Sequence, residues 1–215
     1  MTPRLQRVLT EVESISKKPM LAVHNRAAFA PCIYDPRLEN QIQYRATITE
    51  ECCIHELMHA KLWFSGFPYL ELIPQGSTRI LNHIAIMLNG IFHHQIIFAT
   101  LETLGFDTKQ SEENGTRNFI RLLNEAQPSK VREKHFLALA SIVFARARLH
   151  TLIFDIEALF DASHLKLAKP HGEQLSEIVQ RHAVEDINLF TEGLRQSLLL
   201  LQLSDQFRYR RANAA

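Results

Sequence analysis

The residues best suited to chemistry are His55-Glu56-Leu57-Met58-His59, an HExxH pattern preceded by Cys52-Cys53-Ile54 and followed by Ala60. On a helix a step of four residues is about one turn, so both imidazoles project from one face and can bind a single Zn²⁺ ion. Glu56 lies beside that face and is expected not to be a ligand. Its expected role is to accept a proton from a zinc-activated water and pass it to the leaving amine of a cleaved peptide bond. The chain holds eleven histidines, yet chance placement yields only roughly 0.04 such matches. The competing reading is a solvated histidine pair, with Leu57, Met58 and Leu62 packing inward.

A catalytic zinc takes three protein ligands and keeps one open position. A third histidine six residues after the second, with a glycine between, is ruled out because Leu62 and Ser65 stand at those positions. A glutamate in an Asn-Glu context is also missing, since Asn89 is followed by Gly90. The downstream segment instead offers Asn89-Gly90-Ile91-Phe92-His93-His94. His93 is the favoured third ligand, on a stripe with Asn82, Ile86 and Asn89 whose amides would orient ligands from behind. His94 is its rival, one turn after Gly90, where the missing side chain would let another helix approach closely. Glu71 and Glu102 rank below both.

Tyr44 and Tyr69 are candidates to stabilise the oxyanion of a tetrahedral intermediate, against the commoner role of a core or surface tyrosine. Residues 41–48 alternate Ile42, Tyr44, Ala46 and Ile48 with Gln41, Gln43, Arg45 and Thr47. If that strand were exposed beside the metal, it could pair with an extended substrate backbone, Gln43, Arg45 and Thr47 being the candidate contacts. An ordinary half-buried strand fits the alternation equally. Cys52, one turn before His55, could approach the metal as an inhibitory thiolate, but small core residues are the expected role of Cys52 and Cys53.

Several elements must position these groups. Leu5, Val8, Leu9, Val12 and Ile15 mark an amphipathic helix ending before Pro19, and Leu21 and Val23 mark a short strand. A loop holding Pro31, Asp35 and Pro36 leads to the strand at 41–48. Thr49, or Thr47 with a later boundary, caps a helix from about Glu50 to Phe64, with Glu50 and Glu51 at its positive end. Thr78 to Leu104 reads as a second long helix closed by Gly105. Residues 107–115 read as a polar loop, followed by helices at about 116–125, 129–161 and 173–203, and by a frayed basic tail after Arg208.

From Pro19 to Gly105 this arrangement resembles the zincin superfamily of zinc metallopeptidases, particularly the small cytoplasmic ImmA/IrrE type. It has a short strand, a strand ending in Gln41-Ile-Gln-Tyr-Arg-Ala-Thr-Ile48, the His55-Glu-Leu-Met-His59 helix and a second ligand-bearing helix. The resemblance implies endopeptidase cleavage of a protein substrate, with His55 and His59 as zinc ligands and Glu56 as general base and acid.

Composition bounds the rest. The 215 residues carry 24 Lys plus Arg against 23 Asp plus Glu, so no global field drives nucleic-acid binding, and direct contact with nucleic acid is not expected. Seven glycines and eight prolines are few for an all-β chain and favour long helices. Three cysteines, two of them adjacent, suit a reducing compartment. The N-terminus lacks a secretory apolar run, so a soluble cytoplasmic protein away from membranes is expected. There is no second Glu-x-x-His for a di-iron bundle, no phosphate-binding glycine loop and no serine nucleophile elbow.

The expected fold is α+β and predominantly helical. Residues 1–106 would form a zincin-like metal-binding domain with a small sheet, and 107–215 a helical extension packed on it as one unit. Two functions compete. One is a zinc endopeptidase acting on a protein or peptide. The other is a non-catalytic helical binding or oligomerisation module, zinc-bearing or metal-free, with homo-oligomers possible through the apolar region 136–160.

Overall fold

The structure is a computed structural model that describes residues 1–26, 32–38, 40–45, 48–73, 79–125, 133–150, 156–161 and 164–212. The fold is α+β and mostly helical, with one three-stranded and one two-stranded sheet. Its contacts divide into two compact units. The first comprises residues 1–69, 97–106 and 211–215, and the second 70–96 and 107–210. The boundary expected at 106 is therefore interrupted, because residues 70–96 group with the C-terminal half.

In the first unit, helix α1 (Pro3–Ser16) starts at Thr2, whose side chain caps Leu5, and buries Val8 and Val12. It packs against α2 (Glu50–Phe64). Arg4 ties three ends together: it pairs with Glu50 at 3.1 Å, donates to the Leu104 carbonyl at 2.8 Å, and lies over the Phe106 ring at 4.6 Å. Strands β1 (Leu21–His24), β2 (Cys32–Tyr34) and β3 (Gln41–Tyr44) form a sheet ordered β1-β3-β2. β3 pairs parallel with β1 and antiparallel with β2. β2 lies inside the stretch expected to be a loop, where three residues are too few for an alternation to register. Ala46 and Thr47, the end of the expected strand, lie outside the described residues, as do Pro31, Pro74 and Gly76.

Helix α3 (Arg79–Thr103) runs from the second unit into the first and ends at Gly105, whose φ of 84° is the left-handed value that a glycine terminator supplies. Its most apolar window has a mean hydropathy of 1.5, and 61% of that window is buried. By length and composition it matches a membrane span, while its burial is that of a core helix.

The second unit contains β4 (Tyr69–Leu72, apart from its first residue), α4 (Lys109–Glu125), α5 (Glu133–Leu149), α6 (Ile156–Asp161), α7 (Lys169–His182), α8 (Ile187–Leu200) and β5 (Phe207–Arg210). β4 pairs with β5. α5 and α7 cross closely at Gly172, where an added Cβ would stand 2.7 Å from Phe144 Cδ1 and 2.9 Å from the Ser141 carbonyl oxygen. Phe144 and Phe160 rings meet at 4.9 Å and Phe92 and Phe190 at 5.4 Å, forming an aromatic core.

Three expectations are corrected here. Residues 109–115 belong to α4 rather than a loop, and the Asp107 side chain accepts from Lys109 N–H at 3.1 Å before the helix. The helix expected at 173–203 is two helices, because Asp186 caps α8 by accepting from Asn188 and Leu189 N–H, both at 2.9 Å. The tail from 207 to 210 is a strand, and Arg208 and Arg210 both pair with Glu71 on β4. Leu152, Ile153 and Phe154 of the apolar region lie outside the described residues.

Candidate metal centre

α2 begins where expected, with the Thr49 hydroxyl accepting from Cys52 N–H at 3.1 Å and Glu50 and Glu51 in its first turn. Ile54, Leu57, Met58, Ala60, Leu62 and Trp63 are buried. His55 and His59 stay half-buried on an adjoining stripe, their rings 5.0 Å apart. The His55 ring also meets the Phe98 ring, 5.7 Å between centroids, on the part of α3 that belongs to the same unit. His94 lies one turn before Phe98 along α3.

The third imidazole is His94. Ligand atoms of His55, His59 and His94 all lie within 4.8 Å of one another, and each residue is half-buried. No other group of three or more His, Cys, Asp or Glu gathers this closely among the described residues. His93 is corrected from ligand to core residue: it is fully buried, and its ring stacks on Phe190 at 5.1 Å and 19°. Adjacent helical residues point about 100° apart, so a helix that gives His93 to the core presents His94 elsewhere. His94 leans over Gly90, its Cε1 3.9 Å from where a Gly90 Cβ would stand. Apart from its own helix backbone and chain neighbours, no other described atom comes within 4 Å of that point, so no described residue of a second helix packs against Gly90.

The donor set fits a metal ion. Three imidazole nitrogens around a tetrahedral ion at about 2.0–2.1 Å stand roughly 3.4 Å apart, so nitrogens within 4.8 Å of one another need to close by about 1.4 Å at most. Neutral nitrogen donors suit zinc, copper, iron or nickel and not calcium or magnesium.

Tyr69, expected at an oxyanion, instead braces one of the three histidines. Its hydroxyl lies 3.2 Å from His59 Nδ1 and 3.4 Å from the His59 carbonyl oxygen. Both contacts are satisfied when the hydroxyl donates to the carbonyl and His59 Nδ1–H donates to the phenol oxygen, which makes Nε2 the nitrogen suited to a metal. Burial raises the Tyr69 pKa well above its ordinary value, keeping the phenol protonated.

Glu56 is buried, and Tyr34 N–H on β2 donates to its Oε2 at 2.5 Å. Burial pushes its carboxyl up to about 8, against the opposing Tyr34 hydrogen bond. One carboxyl oxygen is therefore held by the β2 backbone.

The remaining candidates lie elsewhere. Asn89 accepts from Leu70 N–H at 2.8 Å and donates to the Leu70 carbonyl at 3.1 Å, so it clamps β4 and does not orient a histidine. The Tyr44 ring packs on His24 at 5.3 Å. β3 is the central strand of its sheet, paired on both sides, which removes it as a substrate edge. Gln43 is bonded to Asn25 at 2.9 Å, Arg45 lies exposed just past β3, and Thr47 falls outside the described residues. Glu71 is paired with Arg208 and Arg210, not with a metal site.

Cys32, for which sequence spacing gives no argument even as a cap of the metal, is buried on β2, and it stands close enough to Cys52 for the ionisation of the two thiols to depend on each other. No spacing could have revealed this, because β2 and α2 meet only in the fold. Comparison with protein-family models, with curated proteins and with solved structures finds no match for the chain.

Proposed function

We propose that this chain is a zinc-dependent hydrolase of the zincin type, an endopeptidase of a protein or peptide substrate. His55, His59 and His94 would hold the ion. Bound there, zinc supplies Lewis acidity that polarises a peptide carbonyl and makes water nucleophilic near neutral pH. Glu56, whose carboxylate form the bound cation would favour, would take the proton from the attacking water and return it to the leaving amine. Tyr69 holds His59 in the tautomer that ligates. The observation that carries the reading is that ligand atoms of three half-buried imidazoles lie within 4.8 Å of one another, two of them on the helix that also bears Glu56.

A non-catalytic metal-holding module is the second reading, favoured by the Tyr34 N–H bond that gives Glu56 a structural partner. One set of proteins separates the two. Elemental analysis should find near-stoichiometric zinc in the wild type and in His93→Ala where that variant folds, and little in His94→Ala. Glu56→Gln should keep zinc while cleavage of unfolded casein falls at least a thousandfold. Zinc retained with cleavage unchanged in Glu56→Gln removes the proposed mechanism, and absence of zinc in the wild type after reconstitution removes the metal centre.

A further inference from the structure

Cys32 and Cys52 meet in a way that two separate rungs support. Along β2, Cys32 and Tyr34 are two residues apart and both buried, a span of about 6.6 Å on one face of a strand. Along α2, Cys52 and Glu56 are four residues apart, a span of about 6 Å on one face of a helix. Tyr34 N–H reaches Glu56 Oε2 at 2.5 Å. The second rung, one repeat earlier on both elements, sets Cys32 beside Cys52 where β2 packs on α2, and the ionisation of each thiol depends on the other.

The environments of the two thiols differ. Cys32 is buried, whereas Cys52 is half-buried within reach of small solutes. The neighbouring Cys32 thiol favours ionisation of Cys52, while Cys52, burial and the nearby Glu56 hold Cys32 protonated. Cys53 is also half-buried, but it projects from α2 about 100° round from Cys52, and neighbouring helical residues do not face each other.

We propose that Cys32 and Cys52 form a redox-active dithiol that small-molecule disulfides oxidise to an intrachain disulfide joining β2 to α2. Cys52, after losing its proton to solvent, attacks one sulfur of the oxidant, forming a mixed disulfide and releasing one thiol. Cys32 then loses its proton and attacks the Cys52 sulfur, expelling the second thiol. Two protein thiols are thereby oxidised by two electrons and one small disulfide is reduced to two thiols. This dithiol stands on β2 and α2 alone and does not depend on the metal reading.

The test is to expose the reduced, folded chain to oxidised glutathione, alkylate the remaining thiols in denaturant and map the cysteines by mass spectrometry. The expected product has lost two hydrogens, links the peptides of Cys32 and Cys52, and carries alkylated Cys53. Cys53→Ser should form the same link, Cys32→Ser should stop at a glutathione adduct on Cys52, and Cys52→Ser should lose the link entirely. A link through Cys53, a persistent wild-type adduct on Cys52, or three fully alkylated cysteines after exposure would each overturn the proposal.

Discussion

At the scale of single residues, His59 shows how much depends on the atom behind an imidazole. Its Nδ1 is engaged by the Tyr69 hydroxyl at 3.2 Å, which directs Nε2 outward and sets the ring. Tyr69→Phe removes that partner with almost no change of volume. Metal affinity is expected to fall about 10- to 100-fold in a competition titration against a chelator, with the fold intact by circular dichroism; unchanged affinity would show that His59 is oriented by packing alone. His93 and His94 make the complementary point. They are adjacent and chemically identical, and periodicity could not rank them, because the choice depends on which side of α3 meets Phe190. Glu56 and its two histidines were legible because their relation is confined to one turn of one helix.

At the scale of elements, helices with strong local signals were readable and elements that need distant partners were not. α2 carries its cap, its acidic first turn and its buried residues within the single stretch from Thr49 to Phe64. β2, β4 and β5 span only three or four residues each, and β4 and β5 find each other across more than a hundred residues of chain. Their pairing left no periodic trace. Glycines at helix contacts give a direct test. An added Cβ at Gly193 would stand 2.4 Å from His182 Cβ and 2.7 Å from Phe92 Cε1, so Gly193→Ala should cost about 1–3 kcal/mol through overpacking. Gly90→Ala meets only His94, at 3.9 Å, and should stabilise by about 0.5–1 kcal/mol through helix propensity. Urea unfolding of both variants checks the pair; equal effects would mean that neither contact is as close as described.

For the whole molecule, the informative quantity is the pH dependence of stability. Burial, with Arg146 nearby, pushes His150 down to about 4 from an ordinary 6.5. A histidine with a depressed folded pKa binds its proton more readily when unfolded, so stability is fully present above about 6.5 and is lost as pH falls towards 4. The size is roughly 3 kcal/mol across that window. Urea midpoints measured from pH 7 to pH 4 should fall more steeply for the wild type than for His150→Gln, and parallel slopes would remove His150 as the cause.

The sequence by itself determined the mostly helical α+β class, the bounds and cap of α2, and the pairing of His55 with His59 beside Glu56. All of these follow from the helical repeat and from capping chemistry acting within a few residues. Only the tertiary structure decided that His94 completes the trio, that β3 is enclosed by β1 and β2, that Tyr69 braces His59, and that Cys32 reaches Cys52. Each of those depends on the rotation of an element about its own axis or on a pairing between distant segments, and side-chain burial summed over the fold sets both.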